Sequence, residues 1–400
     1  MQFEEARDLF PGLQNKVFLD AACVSLIPRT AKEKIIEFLD MALECPSPDA
    51  SLHHIAMDTW RSQANGEAAR LFNVDPTRIA LIESTTHGLN TAANAIGFCE
   101  GDEVLIVDTE FLQVAIPFSK KEEEGKLKIV AVQTPPGGIL TIESFEKKIT
   151  KKTKAICVSS VQWCTGQRLP MRELGQLCRS RGIWLIVDGV HEAGALHVDL
   201  SDIDCDFYIC GGHKWLNSPF GCGVMVMSRQ ALELSPSSFG YLALAEPDGG
   251  WGAFFRDPNQ SPFRQYVFPK RAKTFEIAGT SNYPGAIGLL ESLKIVNSIG
   301  SKRVEHRVTE LALFLRLQLE RMGIRVSSPS QQEALSGITI FQLFEDRDAD
   351  LDALEKLLRE KILVSIRYTS NLGGIRVSTH YFNNEDDILK LCSSIQRNCR

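Results

Sequence analysis

The chain has 400 residues, 44% of them hydrophobic and 24% charged, the profile of a globular protein rather than a disordered or fibrous one. Its net charge of −6 gives no general attraction for nucleic acid, and no apolar run reaches the roughly eighteen residues a membrane span needs. Eleven cysteines lie without CxxC spacing, several in apolar runs (Cys157, Cys210, Cys222), which points to reduced thiols, a cytoplasmic setting and no structural metal.

The N-terminal stretch "MQFEEARDLFPGLQNK" is acidic and mixed and does not read as a signal peptide. Strands are predicted at 78–84, 103–108, 154–160, 182–188, 206–211 and 223–228, short runs that are apolar throughout. Such runs fit strands covered on both faces, and amphipathic stretches such as 171–181 separate several of them. This rhythm predicts an α/β fold with a mostly parallel, doubly wound sheet. The stretch 239–270, rich in aromatics, glycine and proline, reads as a long functional loop. From about 285 the pattern shifts to helices at 284–300 and 302–322, then "GITIFQLF", "DLDALEKLLREK", "ILVSIRY" and a last helix at 384–397. The expected organisation is an N-terminal segment (1–30) packing on a small domain, a large domain (31–284) and a smaller α+β domain (285–400).

In an open α/β sheet, ligands sit at the carboxyl ends of the strands. After the first strand comes "ESTTHGLN", where Ser84, Thr85 and Thr86 open a helix; they could cap it or hold a phosphate. Asp188 ends the "GIWLIVD" strand, where a buried carboxylate needs a cationic partner, from a heterocycle nitrogen or from a protein side chain. Lys214 follows the "DFYIC" strand in "CGGHKWLNSPFGCG", beside His213 and poor in other charges. Desolvation there would make the lysine a nucleophile. A phosphate, a carboxylate for a ring nitrogen and an amine at three strand tips together suit pyridoxal phosphate, with Lys214 as the Schiff-base lysine.

The run "VDGVHEAGALHVDLSDIDCDFYICGGHKW" (187–215), with "VFLDAACVSLIP" (17–28) and "GGIRVSTHYFNNEDDILKL" (373–391), resembles the class V aminotransferases. These fold-type I pyridoxal-phosphate enzymes include cysteine desulfurases, selenocysteine lyases and isopenicillin-N-epimerase-like enzymes. The resemblance implies that Thr85 and Thr86 hold the cofactor phosphate with His213, and that Asp188 holds the pyridinium. His191 falls where many relatives have a glutamine donating to the cofactor's phenolic oxygen, and Lys214 and Asp188 join it as catalytic candidates. Gly279 and Thr280, in "FEIAGTSN", match a segment that reaches the partner subunit's cofactor phosphate, which implies a homodimer with shared sites. Arg376 matches the arginine that clamps the substrate α-carboxylate, with Arg367 as a second candidate. Trp163 and Trp251 are read as pocket lining or core, and His87, His197, His306 and His380 as structural or surface residues.

Three departures narrow the expectation. The interval between Arg367 and Arg376 is only "YTSNLGGI", without the cysteine of a desulfurase's sulfur-accepting loop. Where a desulfurase stacks a histidine on the cofactor ring, this chain offers Phe111 or Leu112. The serine common just before the lysine is Gly211 or Gly212. The expected activity is cleavage of a C–S bond in cysteine or a cysteine conjugate by β-elimination, with thiol leaving directly rather than through Cys164. The alternatives are an aminotransferase, an epimerase or, in another class, a non-catalytic scaffold.

Overall fold

The computed structural model describes residues 1–44, 53–135, 137–279 and 281–398. Its centre is a seven-stranded sheet built from β2 (Ile79–Ile82), β3 (Glu103–Val107), β4 (Lys128–Val132), β5 (Thr153–Ser159), β6 (Trp184–Asp188), β7 (Phe207–Gly211) and β8 (Gly223–Met227). A short β1 (Val17–Phe18) precedes it and lies elsewhere. The order across the sheet is β2-β8-β7-β6-β5-β3-β4, so the chain winds outward in both directions. Strands β7, β6, β5, β3 and β4 are parallel, and β8 alone runs against its neighbours.

All six predicted strands form. They are buried on both faces, and their Val and Ile side chains feed two apolar clusters, one under each helical layer. The sequence reading left out β4, "KIVAV", where Lys128 and Ala131 are exposed. An edge strand lacks the continuous burial that marks the others. The reversal of β8 has a plain cause. Only Gly212–Cys222 separates it from β7, with no crossover helix, so the chain can only return antiparallel. Lys214 rides in that return.

A second sheet of three antiparallel strands, β11-β12-β9, follows from β9 (Ile338–Phe341), β11 (Ser365–Thr369) and β12 (Leu372–Ser378). It packs with helices Ser301–Arg321, Arg347–Arg359 and Glu385–Asn398 around a separate apolar cluster. Val17 and Leu19 belong to that cluster, and β1 pairs in parallel with β10 (Ile362–Leu363). Helix Tyr283–Ile299 instead buries its apolar residues in the same cluster as the large sheet and packs on helices Arg29–Glu44 and His53–Phe72. A division at 284/285 is kept as a proposal about the folding units.

Candidate active site

Five strand ends meet at one edge of the large sheet. Serine 84 caps helix Thr85–Ala95, its Oγ accepting from His87 N at 3.1 Å, so the capping reading holds for Ser84. The same turn faces a cavity of about 460 Å³. Ser84, Thr85, Thr86, Phe111, Trp163, Asp188, His191, His213, Lys214, Arg367 and Arg376 all line it. Residues read from six separate stretches of sequence are thus brought to one place.

Glycines tighten the lysine loop. Gly211 N donates to Thr85 Oγ1 at 2.9 Å, and a Cβ on Gly211 would stand 2.9 Å from that oxygen. On Gly212 it would lie 2.6 Å from Ser218 Cβ. Thr85 occupies the space a serine would need, which accounts for the departure seen in the sequence. The loop closes through Ser218 N donating to Gly212 O and Asn217 N to Lys214 O.

Charge in the cavity is poorly matched. Asp188, buried at the end of β6, accepts one hydrogen bond, from Val190 N at 3.0 Å, and burial pushes it up to about 6. Burial brings Lys214 down to about 8, partly offset by Asp188. Its Nζ lies 3.3 Å from His191 Nε2 and 5.9 Å from the centre of the Phe111 ring. That ring stands edge-on to Trp163, whose Nε1 donates to Thr109 O. His213 is pushed down to about 4 by burial, so it faces the cavity neutral. Arg376 is 2% exposed, and its closest carboxylate oxygen is Asp20 Oδ1 at 3.5 Å. Burial lowers its guanidinium to about 10, and it remains a cation at neutral pH.

A phosphorylated pyridine aldehyde fits this set. Asp188 offers an under-paired carboxylate to a ring nitrogen, Lys214 an amine to the aldehyde, and the Ser84–Thr86 helix start N–H groups to the phosphate. Gln113 Nε2, buried in the wall with no hydrogen-bond partner, is a further donor with a polar group still to meet.

Some expectations fall elsewhere. Gly279 does not line the cavity of its own chain among the described residues, and Thr280 lies outside them. Trp251 packs against Tyr241 and Phe255 within the 239–270 stretch, away from the cavity. Cys164 is buried, donates towards Thr109 O and is pushed up to about 12 by burial, so the "QWCTGQ" turn brings Trp163 to the cavity and not the thiol. Sequence reasoning missed Cys23, which lines the cavity and accepts from Arg367 Nη2 at 3.4 Å, and Gln113 and Asp20. Asp20 and Cys23 lie in the "VFLDAACVSLIP" segment, but nothing in the spacing of the three marks them as cavity residues. Each reaches the site only because β1 pairs beside the small sheet or because helix Leu112–Glu123 starts at the cavity rim.

A doubly wound sheet with a loop lysine, a strand-end aspartate and a helix start around one cavity is the frame of a pyridoxal-phosphate-dependent enzyme. The chain belongs to the class-V aminotransferase family, whose model matches residues 17–391. It is 27% identical to an isopenicillin N epimerase of Streptomyces clavuligerus, over 98% of this chain and 97% of that one. A probable cysteine desulfurase of Methanothermobacter thermautotrophicus is 23% identical over 99% of this chain and 98% of its own. Among solved structures, the cystine C–S lyase C-DES in complex with cysteine persulfide superposes with a TM-score of 0.85 at 23% identity, covering 97% of this chain and 99% of that one. The cysteine desulfurase CsdA of Escherichia coli gives 0.83 at 21%, covering 99% and 98%.

Proposed function

We propose that the protein cleaves the Cβ–S bond of cysteine, cystine or a cysteine conjugate by β-elimination. The observation that carries this reading is the hairpin between the two cavity arginines. Strands β11 and β12 are joined at Ser370 and Asn371, both with positive φ, in a two-residue turn. Ser365 stands opposite Arg376, and Arg367 opposite Gly374. The interval leaves no loop to carry a sulfur-accepting cysteine to the cavity, so sulfur leaves directly. The C–S lyase C-DES, similar in fold, has cysteine persulfide as its reaction product, which is the kind of outcome proposed here.

The roles follow from the geometry. The buried, loosely paired guanidinium of Arg376, aided by Arg367, binds the substrate α-carboxylate by charge-assisted hydrogen bonds. Lys214, partly neutral near pH 8, removes the proton from Cα and can return it to the leaving sulfur. Phe111 and Trp163 wall the cavity with apolar surface that limits water. Ser84, Thr85, Thr86 and His213 hold the phosphate end, and His191 donates to the cofactor's phenolic oxygen. The cofactor, when bound, supplies an electron sink for the charge left at Cα, and Asp188 keeps its ring nitrogen protonated.

A homodimer belongs to the same proposal. Among the described residues, Gly279 does not line the cavity of its own chain, and a Cβ built on it would meet open space, which leaves this segment free to complete the partner's site. Substrates are small amino acids, and the compartment proposed is the cytoplasm.

A second reading has its own support, since the epimerase relative aligns over nearly the full length of both chains. Screening cysteine, cystine, cysteine conjugates and other α-amino acids separates the two. Keto acid, ammonia and thiol from the sulfur substrates support elimination. Inversion at Cα without bond cleavage supports the epimerase, and conversion of the cofactor to its amine form supports an aminotransferase. A purified protein that is colourless and inert with every substrate sinks all three and leaves a scaffold.

A further inference from the structure

We infer that Trp215 is a positioning residue that fixes His191 as its Nε2–H tautomer, so that His191 is a permanent hydrogen-bond donor towards Lys214 and the cofactor. An indole N–H can only donate. Trp215 Nε1 lies 3.3 Å from His191 Nδ1, with both side chains buried, so Nδ1 must present its lone pair. The one proton of a neutral imidazole then sits on Nε2, 3.3 Å from Lys214 Nζ. Neutrality is enforced chiefly by burial, with the positive charges of Lys214 and Arg376 acting in the same sense, which together hold His191 well below its ordinary range.

Trp215 is itself held in place by a second histidine with a defined tautomer. Tyr381 N donates to His380 Nδ1 at 2.8 Å, which leaves the proton on His380 Nε2, 3.0 Å from Trp215 O. The His380 ring stacks on the Trp215 indole at 5.3 Å and, nearly parallel, on Phe382 at 4.4 Å. Every donor in this series meets an acceptor, from the backbone of Tyr381 to the catalytic lysine. His380, read from sequence as structural, thus orients the cavity histidine at one remove.

The lock has a consequence for Lys214. An ammonium group has donors only, so an Nε2–H pointing at Nζ can be satisfied only by the neutral amine. The tautomer therefore favours uncharged Lys214 beyond what burial does. This role for Lys214 rests on the proposed function; the tautomer itself does not.

The test uses the cofactor-free full-length protein labelled with ¹⁵N-histidine, with long-range proton–nitrogen correlations assigned to His191 by their loss in His191→Gln. Trp215→Phe is compared, with its fold checked by circular dichroism and thermal midpoint. The wild type should show His191 Nδ1 unprotonated and Nε2 protonated from pH 6 to pH 9. In Trp215→Phe the tautomer should mix or invert. The pH midpoint for trapping pyridoxal phosphate on Lys214 with borohydride should rise by about half a unit or more, since the ring can then accept from the ammonium. A protonated Nδ1 in the wild type overturns the inference, whether or not the variant folds. An unchanged tautomer and midpoint in a folded Trp215→Phe protein overturn it as well. If the lock is seen but no amino acid reacts, the functional reading falls and the lock stands.

Discussion

Two buried arginines show how differently this molecule treats charge. Arg61, in helix His53–Phe72, donates from Nη1 to Glu276 at 2.7 Å, and Glu276 also accepts from Leu81 N at 2.7 Å. Burial pulls Arg61 down, but Glu276 raises it further, and the net shift is upward. Arg376 is as deeply buried, yet its nearest carboxylate is at 3.5 Å and its net shift is downward, to about 10. The first charge is matched by its own chain and holds the fold. The second is left short of a partner, along with Asp188 and Lys214, at the edge where a ligand would complete it. A buried group that the chain does not satisfy is costly, so such groups collected around one cavity mark a site.

The sharpest break of this comparison is to remove each arginine in turn. Arg61→Ala should cost about 3–5 kcal/mol of stability in chemical denaturation, because Glu276 is left buried without its partner. Arg376→Ala should cost far less stability. It should instead lose about 2–5 kcal/mol in kcat/KM for the amino-acid substrate, by analogy with truncating one partner of a buried charge pair. Equal stability losses with intact kinetics would erase the distinction.

Asp188 sharpens it next. Its folded pKa of about 6 lies above the ordinary 3.8, so the folded state prefers the neutral acid. The sign is therefore the reverse of a paired carboxylate: the associated stability is present at low pH and lost as pH rises through about 6. Asp188→Asn should stabilise the cofactor-free protein by up to about 3 kcal/mol at pH 7.5 and hardly at all near pH 4, read from denaturation midpoints. It should also weaken retention of the cofactor.

Lys214 gives a smaller, kinetic effect. With its amine near 8, capture of pyridoxal phosphate by the cofactor-free protein should accelerate about tenfold per pH unit below 8 and level off above it. Borohydride and peptide mapping should find the pyridoxyl group on Lys214, and finding it on Lys273, which is paired with Asp58 at 2.6 Å, would contradict the site.

The smallest effects belong to the thiols. Cys164→Ala and Cys23→Ala should each leave sulfur release within several-fold of the parent. Loss of release in either variant would replace direct elimination with a protein-thiol relay, and Cys23 is the one placed to serve it.

The sequence was most legible where function is local. Strand, glycine and lysine stand together in 206–214, and strand and aspartate in 182–188, so the sheet and its chemistry could be read from neighbours in the chain. It was least legible where partners are far apart in sequence. Asp20 meets Arg376, Cys23 meets Arg367 and Trp215 meets His380, pairings set by the second sheet and by β1, while Trp215 meets His191 because β6 and β7 lie side by side. The edge strand β4 and the direction of β8, though not β8 itself, escaped for a related reason, since exposure and direction are properties of the sheet rather than of a segment.

The most direct measurement is the product balance with cystine as substrate. β-Elimination consumes one water and yields pyruvate, ammonia and cysteine persulfide, and the account predicts these in equal amounts with no alanine. Alanine as the carbon product, with sulfur retained on the protein, would contradict it.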